Sequence, residues 1–173
     1  YIPLSFGKGE AFQFDWSSEE VAIDGVVLRA GVAHFRLCYS RMSFIVAYPL
    51  QKMEMVLDAH VRAHDFFGGL CGRGIYDNLK TVVTKIFRGK EREFNARFLE
   101  CSSHYLFDVE ACTPAAGWEK GQVERQVQTL RKGFFLPRLS FESFAALNVY
   151  LHDRLIAYAK TKMHPEKRDC SIY

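Results

Sequence analysis

Residues 9–17 read Gly-Glu-Ala-Phe-Gln-Phe-Asp-Trp-Ser. Phe12, Phe14 and Trp16 alternate with Gln13, Asp15 and Ser17, the period of a strand with one apolar and one polar face. Asp15 therefore lies on the face opposite the aromatic stripe, near the end of an expected strand.

Working outward, residues 26–39 and 43–50 are rich in Val, Phe, Tyr and Ile and are punctuated by Gly25, Gly31 and Ser40-Arg41. They predict a strand meander. From Gln51 to Phe67, Met55, Val56, Ala59, Ala63, Phe66 and Phe67 recur at helical spacing, and Gly68-Gly69 supplies a stop. Residues 70–77 predict a short strand in which Gly72 and Gly74 suggest close backbone approach or a bulge. A basic connector follows, then a helix over 91–105, a strand over 105–112 ending at Thr113-Pro114, and a helix over about 120–134. In that last helix Val123, Val127, Leu130 and Phe134 form the apolar stripe. Ser140 is expected to cap a final helix carrying Phe144, Leu147, Leu151, Leu155 and Tyr158, and the chain turns polar beyond Met163.

Three acidic residues stand out by context. Asp15 and Asp77, the latter in Gly-Ile-Tyr-Asp-Asn, close predicted strands, and Glu124, in Lys-Gly-Gln-Val-Glu-Arg, lies inside a basic predicted helix. Ligands collect outside the carboxyl ends of strands in open α/β sheets, which makes Asp77 a site candidate, although turn chemistry alone also favours Asp there. Carboxylates gathered from separate elements make a hard-oxygen site suited to Mg²⁺ or Mn²⁺, and so to phosphodiester chemistry. Read from the helix alone, Glu124 is first of all half of an i,i+4 pair with Lys120 or Gln128.

The 173 residues suffice for one domain with a substantial core. The net charge of +3 is modest, but the span from Arg73 to Arg97 holds seven basic residues against three acidic ones, which fits either phosphate binding or a solvated face. Cysteines at 38, 71, 101, 112 and 170 lack zinc-type spacing and are expected to be reduced, buried thiols. No apolar run approaches the ~20 residues of a membrane span, so a cytoplasmic protein is expected. The start at Tyr1, in mid-pattern, suggests a piece of a longer protein.

His60 and His64 have the i,i+4 spacing of a zinc-binding helix, but no Glu stands between them as a base and no third ligand is evident, so surface or packing histidines are expected. No local signature marks a Cys nucleophile, and there is neither a P-loop nor a Rossmann glycine fingerprint.

The expected order of three strands, helix, strand, helix, strand, helix resembles the RNase H-like fold of retroviral-type integrases, an α/β fold with a mixed five-stranded sheet flanked by helices. The segments at 9–17, Tyr-Asp-Asn-Leu-Lys-Thr at 76–81 and Gly-Trp-Glu-Lys-Gly-Gln-Val-Glu-Arg-Gln-Val at 117–127 resemble the catalytic core of IstA-type insertion-sequence transposases. The similarity runs from about Tyr1 to His164-Pro165. It implies a core over 1–138, with 139–173 a C-terminal helix and polar tail leading towards a further domain.

The resemblance implies a DDE catalytic triad of Asp15, Asp77 and Glu124, separated by 61 and 46 residues. The triad would bind two Mg²⁺ (or Mn²⁺) ions roughly 3.5–4 Å apart. Water would first release a 3′-hydroxyl at the transposon end, and that hydroxyl would then attack target DNA. Lys80, Lys85, Lys120, Arg125 and Arg131 are expected to hold DNA phosphates. Implied partners are DNA, an IstB-type ATPase and further copies of the chain, at the nucleoid of a bacterium. The alternatives are a metal-dependent nuclease of the same fold and a non-catalytic DNA-binding transposase remnant.

Overall fold

The computed structural model describes residues 6–69, 71–76, 82–86, 92–111, 127–167 and 169–173. Its strands are β1 (Ala11–Ile23), β2 (Val26–Leu37), β3 (Ser43–Tyr48), β4 (Arg73–Tyr76), β5 (Val83–Ile86), β6 (Arg92–Phe94), β7 (Asp108–Ala111) and β8 (Ser140–Phe141). Its helices are α1 (Met53–Phe67), α2 (Ala96–His104), α3 (residues 127–134) and α4 (Phe144–Thr161).

The main sheet runs β3-β2-β1-β4-β7, with β8 added beside the far end of β1. β1, β2 and β3 are antiparallel neighbours, whereas β4 is parallel to β1 and β7 to β4. The mixed α/β architecture expected from the sequence is therefore present.

The β1–β2 hairpin turns on Asp24 and Gly25, both at positive φ, the two-residue chemistry that suits the right-handed twist of paired strands. It aligns Phe12 with Leu37 and Asp15 with His34. β1 separates two apolar layers. Phe12 and Phe14 pack with Phe35, Val56, Ala59, Tyr76 and Phe98 on the α1–α2 side. Val21 packs with Val32, Ile45, Leu130, Phe134 and the α4 residues Leu147, Leu151 and Leu155 on the other. The i,i+4 spacing of those α4 leucines places them on one stripe, and all are buried. Asn148 of the same helix covers the open edge of β3, accepting from the Ala47 amide at 2.7 Å and donating to its carbonyl at 3.0 Å.

At Gly74 the close approach is made by side chains rather than by the neighbouring backbone that the sequence suggests. A Cβ there would meet the Tyr76 hydroxyl at 2.6 Å and Phe12 Cζ at 2.7 Å, so the absent side chain makes room for the Tyr76 ring. Among the described residues nothing comparable crowds Gly72. Gly68 caps α1 at φ 71°, and the Gly69 amide returns to the His64 carbonyl at 2.9 Å.

Several expected boundaries move. Part of the basic connector and of the predicted 91–105 helix forms the antiparallel β5–β6 hairpin, and α2 starts only after Asn95, whose side chain accepts the Arg97 amide at 3.0 Å. Leu106 takes φ 55° in the turn before β7, so the expected strand begins at Asp108. Ser140 does not cap the last helix: it pairs with Ala22 in β8, and Ser143 is the cap, accepting from the Ala146 amide at 3.1 Å. Cys38 and Cys71 are buried free thiols as expected, but Cys101 is half-buried and Cys170 exposed. Cys112 lies outside the described residues. The polar segment after α4 turns back on the body: Met163 bridges to Ser171, and His164 and Ile172 are buried. Among the described residues no helix is long and apolar enough to cross a membrane.

Candidate active site

β4 pairs with β1 through Ala11–Phe14, ending with Phe14 beside Tyr76. β8 pairs only with Ala22 and Ile23. Among the described residues, the β1 edge between these two partners carries no paired strand, and Asp15 is the first residue on it. Period-two alternation places Gln13, Asp15, Ser17 and Glu19 on one face of β1.

Asp15 is half-buried, and its Oδ1 accepts the Trp16 amide at 2.8 Å. Opposite it in register stands His34, buried, with Nε2 hydrogen-bonded to Ser17 Oγ at 2.9 Å. Its Nδ1 is buried and has no partner among the described residues. Burial lowers the His34 pKa to about 3, so the ring is neutral at physiological pH and adds no positive charge beside Asp15. Further along the same face Glu19 is buried, and its Oε2 pairs with Arg131 Nε of α3 at 2.9 Å. The remaining Glu19 oxygen, Oε1, has no partner among the described residues.

Tyr76, the last residue of β4, is held from below. Its hydroxyl meets His60 Nε2 at 2.8 Å, and His60 Nδ1 lies 2.7 Å from the Val56 carbonyl. A carbonyl only accepts, so Nδ1 carries the proton and Nε2 accepts from the tyrosine. Both His60 nitrogens are thereby used, and burial lowers its pKa to about 4. His64 lies beside Asp65 and the Tyr105 ring instead. His60 packs in the core and His64 sits part-exposed at the surface; among the described residues no three His, Cys, Asp or Glu side chains are grouped to hold a metal.

Of the residues proposed for the triad and for phosphate contacts, Asp15 and Arg131 are described in full. Arg131 is half-exposed and engaged with Glu19. Lys85 belongs to β5, with its side chain outside the description. Asp77, Lys80, Lys120, Glu124 and Arg125 lie outside the described residues. The motifs single out neither Glu19 nor His34: Glu19 continues the polar half of the β1 alternation past Ser17, whereas His34 lies on β2 and reaches Asp15 only through the strand register.

No family model matches the chain. A transposase of Aminobacter aminovorans is 48% identical over 168 residues, covering 97% of this chain and 33% of the relative. The transposase for insertion sequences IS1326/IS1353 of Pseudomonas aeruginosa is 49% identical over 166 residues, covering 96% of this chain and 33% of the relative. The chain thus spans about a third of the length of these curated relatives. Among solved structures, the HTLV-2 integrase catalytic core domain in complex with magnesium (dimeric form) superposes with a TM-score of 0.63 at 13% identity, covering 92% of each chain. The chain is therefore similar, over nearly its whole length, to a segment of about one third of the length of these insertion-sequence transposases, and it has the RNase H-like fold of retroviral integrase catalytic cores.

Proposed function

We propose that this chain is the catalytic core of a DDE transposase of the IstA type, carrying out metal-dependent cleavage at transposon 3′ ends and strand transfer into target DNA. The observation that carries the reading is the β1–β4 register. Phe14 and Tyr76 are neighbours on parallel strands, and Asp15 and Asp77 are the residues that follow them in the chain. Glu124 precedes the first described residue of α3 by three positions, and α3 packs Leu130 and Phe134 on the Asp15 side of the sheet.

Asp15, Asp77 and Glu124 are the residues that would hold Mg²⁺ or Mn²⁺. The donor set fits: a half-buried carboxylate offers hard oxygen, and the neutral His34 opposite does not offset its charge. When bound, two such ions supply activation of the attacking oxygen and stabilisation of the leaving one. The protein's own part is positional. The Trp16 amide fixes one Asp15 oxygen, and the Tyr76–His60–Val56 chain anchors the strand end that leads to Asp77. Lys80, Lys85, Lys120, Arg125 and Arg131 are the proposed phosphate contacts. For Arg131 this is a second role beside its ion pair, within reach of a half-exposed guanidinium.

An IstB-type ATPase and further copies of the chain are the proposed partners, in the bacterial nucleoid. The test is joining of a pre-cut transposon end to plasmid DNA by the full-length transposase with its ATPase. Joined product supports strand transfer, whereas cleavage without joining identifies a nuclease of the same fold, and neither activity a DNA-binding remnant.

A further inference from the structure

A cavity of 420 Å³ opens on the same sheet face, between β2, β3, α3, α4 and the returning C-terminal segment. Its size lies within the ~300–1,000 Å³ of small-molecule sites. Arg36, Arg41 and Lys162 bring positive charge to its wall, and Ser43, Thr129 and Tyr158 bring hydroxyls. Glu166 is the one acidic residue among the described lining.

Arg41 is buried in the turn between β2 and β3 at φ 65°, a conformation that non-glycine residues seldom adopt. Its Nη2 meets Glu166 Oε1 at 2.6 Å, although Glu166 itself is 62% exposed. Arg36, two residues along β2 from His34, is held near Arg41, and burial first and that neighbour second lower its pKa to about 10. Two guanidiniums kept together in a low-dielectric wall are costly, and an anion between them offsets the cost. The Glu166 carboxylate is brought there by the segment that His164 organises. His164 Nδ1 accepts the Glu166 amide at 3.2 Å and the Lys167 amide at 3.0 Å, and its Nε2 donates to the Tyr39 carbonyl at 2.9 Å.

We propose that this cavity is a phosphate-binding site formed by Arg36, Arg41 and Lys162, in which the Glu166 carboxylate stands in for the ligand and is displaced by it. A phosphate dianion or monoester carries more charge and more acceptor oxygens than one carboxylate, which suits the forked donors of two arginines. The site is independent of the reaction proposed above and needs none of its carboxylates.

The test is calorimetric titration of the chain with inorganic phosphate at constant ionic strength, beside ³¹P line broadening. Saturable binding is expected, tightened several-fold in Glu166→Gln, weakened in the exposed Lys162→Gln, and lost in Arg41→Gln. Should Arg41→Gln fail to fold, Glu166→Gln and Lys162→Gln carry the test alone. Absence of saturable binding in both wild type and Glu166→Gln overturns the proposal. Short oligonucleotides identify the source. Competition by the 5′-phosphorylated form alone supports the site with DNA ends as ligand, and competition by neither form supports it with free phosphate. Equal competition by the 5′-hydroxyl form marks a general polyanion surface and overturns it.

Discussion

The Tyr76 hydroxyl, at the last described residue of β4, donates to His60 Nε2 of α1 at 2.8 Å, and both side chains are fully buried. The bond ties the end of the strand that precedes Asp77 to the helix beneath the sheet. Tyr76→Phe keeps the ring that Gly74 accommodates but leaves the His60 acceptor bare. The expected cost is about 1–3 kcal/mol in urea unfolding, with the fold retained. An unchanged midpoint would show that the bond is not formed in solution.

Acid should destabilise the protein through two histidines. Burial lowers the pKa of His34 to about 3 and of His60 to about 4, from an ordinary value of 6.5. Below pH 6.5 the unfolded chain takes up protons that the native state refuses, so stability present above that pH is lost as the pH falls towards 4. Each histidine adds a slope of at most about 1.4 kcal/mol per pH unit in that window. Urea midpoints should fall between pH 6.5 and 4.5, and His34→Gln should flatten the decline. A pH-independent midpoint there would contradict the burial of both rings.

Glu19 and Arg131 join β1 to α3, with the carboxylate side chain 4% exposed and the guanidinium 50%. Removing the arginine leaves a buried charge behind, whereas neutralising the carboxylate does not. Arg131→Met should therefore cost more than Glu19→Gln, about 1–3 kcal/mol given the half-exposed partner. Calorimetric unfolding of the two variants decides the order, and the reverse order would show that Glu19 is solvated in solution.

The strand and helix periods make most of the fold legible in the sequence. Aromatic alternation marked β1, leucine spacing marked α4, and Gly68 marked the end of α1. What stayed hidden depended on tertiary partners. β8 is two residues long and exists because Ala22 and Ile23 pair with it, so Ser140 looked like a cap. The β5–β6 hairpin is short and charged, without a clean alternation to separate it from a helix start. At the site, Asp15 was legible from its motif. The Glu19–Arg131 pair, spanning 112 positions, and the Arg41–Glu166 pair, spanning 125, join residues that no local pattern connects.

If Asp15, Asp77 and Glu124 gather as proposed, they repel one another without metal. Asp15→Asn should then raise the metal-free melting temperature by a few degrees while abolishing activity. A lower or unchanged melting temperature would count against a clustered triad.

The central claim is tested most directly by Mg²⁺- or Mn²⁺-dependent joining of a pre-cut transposon end to plasmid DNA, using the full-length protein with the proposed IstB-type ATPase beside Asp15→Asn, Asp77→Asn and Glu124→Gln. The predicted result is joining by the wild type that requires the metal and is lost in all three variants. Joining that survives in any one of them, or that proceeds without divalent metal, would contradict it.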